Sequence, residues 1–311
     1  MVDRNETMER PLRRSLFFVP GGEPRKLEKA PGLGADTLLL DLEDSVAPAE
    51  KEQARERVAR GLAEGAFGGA EVAVRVNPPG TPFFEEDLEA AVLSGAHAIM
   101  LPKSESATAL ARVAEQIDAI ERRRRAGSRR RVGILALVET ATGIVSVGSL
   151  MVASDRIEAL CFGHADFSRD MGLARADASV GSVFHARCAL AIAARAGRVS
   201  PIDTVYLDPR DEKGFRGDAE LGASLGFEGK LCIHPSQIAI ANEVHTPTAD
   251  QIDFARRVVE AALEAESGGR GVFTVDGKMV DAPLIAAQRR ILERAQRAGV
   301  VMDGGGASDE S

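Results

Sequence analysis

Eight short apolar runs, each typical of a buried strand, alternate along the chain with amphipathic helical stretches. The runs begin at Ser15, Asp36, Glu71, His97, Val132, Ile157, Ser200 and Gly229. Strands that alternate with helices through short loops predict parallel strands joined by right-handed crossovers. Eight strands are the number that closes a (β/α)8 TIM barrel, so this α/β barrel is the predicted fold. A doubly wound open sheet is the alternative, and only the strand count disfavours it.

The pattern changes after the eighth run. We predict a barrel domain over residues 14–245, a C-terminal extension over 246–300 and a disordered tail over 301–311. The extension should contain a helix break at Thr246–Pro247, a hairpin with Asp276–Gly277 as a type I′ turn, and a last helix that starts near Pro283. Because a barrel closes without it, we interpret this helical and hairpin extension as a lid or as an arm to a neighbouring subunit.

Composition and charge exclude several functional classes. The net charge of −8 argues against a nucleic-acid or anionic-membrane partner. The N-terminus has no apolar signal segment, and no apolar run approaches the roughly 18 residues of a membrane span, so we expect a cytoplasmic protein. Cys161 and Cys232 lie in apolar runs and should be reduced and buried. The arginine run Arg122–Arg131 is predicted to be a solvated helix end at the opposite face from the active site.

Two of the apolar runs end in a single carboxylate, Glu139 in one and Asp166 in the next. A carboxylate at the tip of a buried strand costs desolvation energy unless a partner offsets it. Two of them on neighbouring strands would form an anionic pocket for a hard divalent cation, Mg²⁺ or alternatively Mn²⁺. We therefore predict that both are metal ligands. The alternative is that one of them, Asp166 in particular, caps the following helix.

Other polar side chains also fall at strand ends, where the active sites of this fold lie. Arg75 is expected to bind a carboxylate in bidentate fashion, or else to pair with a local acid. Lys103 could neutralise substrate charge, pair structurally or form a Schiff base. Asp44 could reach the metal through water, hold a neighbouring side chain or be a simple loop acid. His234 is a candidate base, with a packed histidine before a Ser236 helix cap as the favoured alternative.

Basic residues follow the first strand, and an acid precedes the last helix. Arg25, Lys26 and Lys29 begin a helix, where a phosphate could gain from free N–H groups and positive charge. Surface lysines and arginines at such a position are usually only solvated, so the pattern alone is weak.

Asp281 lies in the extension, and from the sequence alone it is most simply the N-cap of the last helix.

Seven motifs, taken together, resemble a known family. They are SLFFVPG, LLLDLEDSV, VRVN, IMLPK, ALVETATGI, FGHADFS and CIHPSQ. In this order they resemble the citrate lyase β-subunit-like proteins of the HpcH/HpaI aldolase group, from about Arg14 to about Ala298. The later segment GKMVDAP looks most like the stand-alone malyl-CoA and citramalyl-CoA lyases and is missing from shorter relatives.

The resemblance implies a homotrimer or hexamer of (β/α)8 barrels. It implies Mg²⁺ on Glu139 and Asp166, and Arg75 as the substrate-binding arginine. It also implies that coenzyme A binds near the first loop, which makes Arg25 and Lys29 its expected contacts.

The resemblance further implies a reaction, the reversible cleavage of a 3-hydroxyacyl-CoA to acetyl-CoA and a 2-oxo acid. Malyl-CoA would give glyoxylate and citramalyl-CoA would give pyruvate, and Asp281 would enter a neighbouring active site as the acid or base. One methyl group is worth only about 1–3 kcal/mol of discrimination, so the sequence does not separate these substrates.

Three alternatives stay open at this stage. They are a citrate lyase β subunit acting on an acyl-carrier thioester, a CoA-independent class II pyruvate aldolase, and a barrel without activity. The extension disfavours the first two, and the intact strand-end residues disfavour the third.

Overall fold

A computed structural model describes residues 11–123, 131–174, 177–267 and 273–300 of the chain. Its central feature is a closed barrel of eight parallel strands that pair in chain order, the eighth pairing back with the first. The strands are β1 Ser15–Pro20, β2 Thr37–Asp41, β3 Glu71–Arg75, β4 Ala98–Leu101, β5 Gly133–Val138, β6 Ile157–Phe162, β7 Ser200–Asp203 and β8 Gly229–Cys232. Closure confirms the (β/α)8 prediction and excludes the open sheet.

Helices surround this barrel. They are α1 Pro24–Lys29, α2 Lys51–Ala63, α3 Phe84–Ser94, α4 Ala107–Arg123, α5 Ala141–Leu150, α6 His164–Asp170, α7 Gly181–Ala196, α8 Glu212–Ser224 and α9 Pro235–Val244. Two helices, α6 and α7, occupy the connection between β6 and β7. No helix within the described ranges combines the length and the apolar character needed to cross a bilayer.

Alternating side chains along the strands build two apolar cores. One fills the barrel interior and includes Leu16, Leu39, Met100, Leu137 and Leu231. The other lies between the barrel and its helices, where the intervening strand residues face outward. Because every strand is covered on both faces, its sequence is apolar throughout, and this is why the strands were visible as continuous runs.

One strand is shorter than its apolar run in the sequence. The run from Ser200 continues through Val205 and Leu207, but β7 ends at Asp203 and Asp208 lies in an exposed loop. Burial falls off after Thr204, and Leu207 is exposed although it is apolar. The apolar residues after Thr204 therefore do not continue the sheet, and the strand-end acid is the buried Asp203.

The chain divides into two compact units, with the boundary between His245 and Thr246. The second unit holds α10 Ala249–Ser267, β9 Phe273–Val275, β10 Lys278–Val280 and α11 Ala282–Arg297. Strands β9 and β10 form an antiparallel hairpin. Its turn residues Asp276 and Gly277 both have positive φ, as the predicted type I′ turn requires. Most of the arginine run and the predicted tail lie outside the described residues.

Candidate active site

A cavity of about 700 Å³ opens at the C-terminal ends of the barrel strands. Its polar lining includes Lys26, Lys29, Asp41, Asp44, Ser45, Arg75, Glu139, His164, Asp166 and His234. The structure thus brings together both predicted metal ligands, Arg75, Asp44 and one of the two predicted coenzyme contacts. This position is the one that the barrel fold uses for its active sites.

Glu139 follows β5 and is buried at the cavity wall. Its Oε1 atom accepts a 2.9 Å hydrogen bond from the backbone N–H of Lys103. On its other side lies Gly163, where an added Cβ atom would fall 2.8 Å from Oε2. Burial, together with the negative charges of Glu43 and Asp166, raises the pKa of Glu139 to about 8. The carboxylate is therefore held in one place, and a nearby cation would stabilise its charged form.

Asp166 lies within the first turn of α6, the helix that follows β6. The N-cap of this helix is Gly163, so the helix-cap alternative for Asp166 is wrong. Its carboxylate is only partly exposed and pairs with the exposed Arg169 one turn later. Because Val138 and Phe162 are register partners in the barrel, the chain segments that carry Glu139 and Asp166 are neighbours.

The two carboxylates fit a magnesium ion in number and type. Within the described residues, no three His, Cys, Asp or Glu side chains form a group able to hold a metal by themselves. Mg²⁺ usually takes one or two protein carboxylates and completes its shell with water and substrate oxygens. The pair of Glu139 and Asp166 matches that demand, and a divalent cation would offset the burial and the repulsion that together raise the pKa of Glu139.

Arg75 ends β3 directly opposite Asp41 at the end of β2. Its Nε and Nη2 atoms donate to the two carboxylate oxygens of Asp41, each at 2.7 Å. The guanidinium also lies 4.7 Å from the ring centre of Phe18. Burial opposes ionisation of Asp41, but the hydrogen bonds and charge of Arg75 outweigh it and hold the pKa of Asp41 below its usual value. Arg75 is thus fixed by a local acid, the ion-pair alternative, while it still lines the cavity.

Two acids at the end of β2, Asp41 and Glu43, have no role in the sequence-based prediction of the site. The available signal was their spacing, because residues i and i+2 point to the same face of a strand. Glu43 is buried, and its Oε1 atom accepts a 3.2 Å hydrogen bond from Lys103 Nζ. Its Oε2 atom lies 3.2 Å from Arg75 Nη1 without forming a hydrogen bond. Lys103 therefore serves as a structural partner of an acid, and its amine is not among the groups that line the cavity.

The remaining predicted residues are distributed as follows. Asp44 is mostly exposed, and one carboxylate oxygen lies 3.9 Å from Arg75 Nη1, a position that suits the alternative in which it holds a neighbouring side chain. Of the two expected coenzyme contacts, Lys29 lines the cavity and Arg25 does not, while Lys26 lines it as well. The reason is helix rotation, since adjacent residues on α1 point about 100° apart.

His234 is exposed rather than packed, and it caps α9 itself in place of Ser236. Its Nδ1 atom accepts from the backbone N–H of Ser236 at 3.3 Å. A second histidine, His164, was missed by the sequence reasoning although it lines the cavity. His164 is buried, and its Nδ1 atom lies 2.7 Å from the hydroxyl oxygen of Thr204. Lys230 Nζ donates to the carbonyl oxygen of the same threonine at 2.8 Å.

Asp281 belongs to the second unit. As the sequence alone indicated, it is the N-cap of α11, and its Oδ1 atom accepts a 3.1 Å hydrogen bond from the N–H of Leu284. The cap uses one carboxylate oxygen and leaves the side chain exposed.

Comparison with known proteins gives the same assignment as the motifs. The sequence profile of the HpcH/HpaI aldolase/citrate lyase family matches residues 14–235. A citrate lyase subunit beta of Haemophilus influenzae is 38% identical over 287 residues, which cover 92% of this chain and 97% of that protein. A (3S)-malyl-CoA thioesterase of Cereibacter sphaeroides is 36% identical over 284 residues, which cover 91% of this chain and 94% of that protein.

Among solved structures, the chain is similar to the protein CitE of Mycobacterium tuberculosis in complex with magnesium, acetoacetate and coenzyme A. The TM-score is 0.71 at 30% identity, and the match covers 92% of this chain and 98% of that one. The match of the profile to most of the chain, together with the near-complete coverage of these relatives, establishes the relationship. The chain belongs to the HpcH/HpaI aldolase/citrate lyase family.

Proposed function

We propose that the protein is a magnesium-dependent carbon–carbon lyase that cleaves malyl-CoA or citramalyl-CoA reversibly to acetyl-CoA and glyoxylate or pyruvate. The observation that carries the proposal is the convergence of Glu139, Asp166 and Arg75 on one cavity at the C-terminal end of the barrel. The relatives named for citrate lyase, for a malyl-CoA thioesterase and for a complex with magnesium and coenzyme A support the same class of chemistry.

Glu139 and Asp166 would hold the metal, with Mg²⁺ preferred and Mn²⁺ as the alternative. When bound, the metal supplies Lewis acidity to the substrate hydroxyl that becomes the carbonyl of the oxo acid. The protein's own contribution is to hold Glu139 rigidly through the N–H of Lys103 and the close approach of Gly163. Fixed ligands need little reorganisation when the metal and substrate arrive.

Arg75 stabilises the acetyl-CoA enolate that forms when the carbon–carbon bond breaks. Asp41 binds its Nε and Nη2 atoms, which fixes the plane of the guanidinium and leaves Nη1 on the side that Asp41 does not contact. A preorganised cation is most effective where negative charge develops in a water-poor site. The apolar side chains of Phe18, Leu137 and Leu231 line the same cavity and limit the access of water.

Coenzyme A would lie toward the first loop, where Lys26 and Lys29 line the cavity and offer positive charge to its phosphates. Arg25, one of the two expected contacts, is exposed one residue before Lys26. Asp281 would come from a neighbouring subunit of a homotrimer or hexamer and return a proton to the enolate carbon as general acid.

The test is a cleavage assay with separate detection of glyoxylate, pyruvate, acetyl-CoA and free CoA. Malyl-CoA and citramalyl-CoA are each offered with Mg²⁺ and with EDTA. We expect cleavage that EDTA abolishes and a loss of about a thousandfold in kcat for Glu139→Ala, because a metal site supplies several kcal/mol of transition-state stabilisation. Cleavage by Glu139→Ala at the wild-type rate in EDTA would contradict the assignment.

A second candidate is the β subunit of a citrate lyase, which would act on a citryl thioester of an acyl carrier. The alignment with the Haemophilus influenzae citrate lyase subunit covers 92% of this chain, which is more than the barrel alone. The extension was expected to disfavour this function, and the alignment removes that argument. Release of oxaloacetate from a carrier-bound citryl group, with no activity on CoA esters, would favour it. Free CoA and malate from malyl-CoA would instead favour the thioesterase activity for which other relatives are named.

A further inference from the structure

Lys103 has a backbone conformation that lysine rarely adopts. Its φ is +49°, and among the described residues only two other non-glycine residues, Arg198 and Asp276, have positive φ. Neither of those follows the C-terminal end of a barrel strand, whereas Lys103 lies just after β4 beside Glu139. Glycine would accept this conformation without strain, so the lysine carries a conformational cost that its side chain must offset.

The backbone at this position does not by itself require a lysine. The N–H of Lys103 donates to Glu139 Oε1 at 2.9 Å, and the N–H of Ser104 donates to the carbonyl oxygen of Leu137 at 3.0 Å. These two bonds fix the turn against β5. Any residue, glycine included, supplies the same N–H groups, so they do not account for the lysine.

Within the described part of the chain, the side chain of Lys103 has one hydrogen-bond partner, the buried carboxylate of Glu43 at 3.2 Å. Glu43 also raises the proton affinity of Glu139 through its charge, so the two acids are close enough to repel each other. The ammonium group of Lys103 therefore compensates an acid that faces the proposed metal ligand. The Lys103 side chain is 44% exposed and does not line the cavity, so it acts on the site through Glu43.

The acids of the site differ in how far they are paired with cations. Arg75 pairs with Asp41 and also lies 3.2 Å from Glu43, Lys103 pairs with Glu43, and Asp166 pairs with the exposed Arg169. Among the described residues, this leaves the buried Glu139 without an ion-pair partner. Without the ammonium group, the extra negative charge would attract Mg²⁺ more strongly and repel an anionic 2-oxo acid. We propose that Lys103 is a positioning residue that acts through Glu43 to balance the charge of the site, so that the site accepts both Mg²⁺ and an anionic 2-oxo acid. This inference rests on the proposed magnesium site.

The test uses titration calorimetry on the full chain, first with Mg²⁺ alone and then with pyruvate at saturating Mg²⁺. For Lys103→Met we expect Mg²⁺ to bind about three- to tenfold more tightly and pyruvate to bind more weakly by a similar factor, from Coulomb interactions at partly screened separations. Glu43→Gln should change both affinities in the opposite direction. The double variant Lys103→Met with Glu43→Gln should return both affinities to within about twofold of wild type.

Two further variants separate charge from folding. Lys103→Arg should bind both ligands like wild type. Lys103→Gly should bind them like Lys103→Met but unfold at a higher temperature than Lys103→Met, since glycine relieves the backbone strain. Lys213→Met, on the exposed start of α8, is the matched control and should change nothing.

Structural damage alone would weaken Mg²⁺ binding, so weaker or unchanged binding in Lys103→Met and Lys103→Gly would overturn the inference. A double variant that keeps the affinities of Lys103→Met would overturn it as well. If wild-type protein fails to bind Mg²⁺, the proposed metal site is wrong, and this inference fails with it.

Discussion

At the scale of single residues, Gly163 lies so close to Glu139 that a larger residue does not fit at its position. A Cβ atom there would lie 2.7 Å from Glu139 Cβ and 2.8 Å from Oε2, closer than real Cβ contacts allow. We predict that Gly163→Ala displaces the Glu139 carboxylate and weakens Mg²⁺ binding by about tenfold or more, roughly the effect of losing a group that orients a metal ligand. Calorimetric titration with Mg²⁺ measures it.

The control for this substitution is Gly148→Ala. Gly148 lies on α5, and apart from its chain neighbours and the backbone of its own helix no atom lies within 4 Å of an added Cβ, so alanine should leave Mg²⁺ binding unchanged and stabilise the helix by about 0.5–1 kcal/mol. Equal Mg²⁺ affinity in both alanine variants would show that the close approach at Gly163 does not position Glu139.

The cysteines give a second prediction at this scale. Cys161 and Cys232 are buried in barrel strands, and burial raises the pKa of both thiols to about 12, whereas Cys188 is only half-buried. Because the thiolate is the reactive form, native protein should show at most one thiol that reacts promptly with an aromatic disulfide reagent at pH 8. All three should react after denaturation. Two or more promptly reacting thiols in the native protein would contradict the described burial.

At the scale of elements, a closed set of buried charges joins β7 and β8 to the helices outside them. Asp203 on β7 accepts hydrogen bonds from Arg187 on α7 at 3.0 and 2.6 Å, and from Lys230 on β8 at 3.1 Å. Lys230 also donates to Asp218 on α8 at 2.5 Å. Two cations and two anions balance, so the loss of one leaves a buried charge without its partner.

We predict that Asp203→Asn lowers the free energy of unfolding by about 3–5 kcal/mol, the usual cost of removing one partner from a buried ion pair. Urea unfolding followed by circular dichroism measures this change. The matched control is Glu243→Ala, which removes the exposed ion pair with Arg216 and should leave stability nearly unaltered. A similar small effect for both substitutions would contradict the structural role of the cluster.

The same cluster predicts a pH dependence. Burial opposes ionisation of Asp203, but Lys230 and Arg187 outweigh it and hold its pKa below the usual value. The carboxylate of Asp203 therefore binds a proton less readily in the folded protein than in the unfolded chain, whose aspartates titrate at about pH 4. The contribution of Asp203 to stability is complete above that pH and is lost as the pH falls toward the folded pKa. Stability measured from pH 6 to pH 3 should fall less steeply in Asp203→Asn than in wild type.

These elements also show what the sequence could and could not predict. All eight strands were predictable because strands covered on both faces are apolar throughout. The end of β7 was not, since Val205 and Leu207 are apolar although they lie beyond the sheet. Strand ends placed Glu139, Asp166 and Arg75 in one cavity, because barrel topology brings those ends together.

The sequence did not predict the features that depend on side-chain direction. Whether Arg25 or Lys26 faces the cavity depends on the rotation of a short helix, and no periodic pattern determines it. Likewise the capping of α9 by His234 depends on one local hydrogen bond. The pairing of Asp41 with Arg75 required the register of β2 and β3, which only the structure provides.

At the scale of the whole molecule, the proposed reaction needs residues from both units, because Glu139 lies in the barrel and Asp281 in the C-terminal unit. If Asp281 acts in a neighbouring subunit, Glu139→Ala and Asp281→Asn damage different parts of the same composite site. Each variant alone should be nearly inactive, with Mg²⁺ binding kept in Asp281→Asn. Subunit exchange between the two variants should restore roughly a quarter of the wild-type activity, as random pairing of neighbours predicts.

The control is exchange between Glu139→Ala and Asp166→Asn, two defects of the same metal site, which should restore nothing. If neither mixture regains activity although exchange is demonstrated by mass spectrometry, Asp281 does not act across subunits.

The central claim is that Glu139 and Asp166 hold one magnesium ion beside the substrate. A crystal structure with Mg²⁺ and pyruvate tests it most directly. We predict a single ion with an oxygen of each carboxylate at about 2.0–2.1 Å and the remaining positions filled by pyruvate and water. An ion located elsewhere in the cavity, with the Glu139 and Asp166 oxygens directed away from it, would contradict the account.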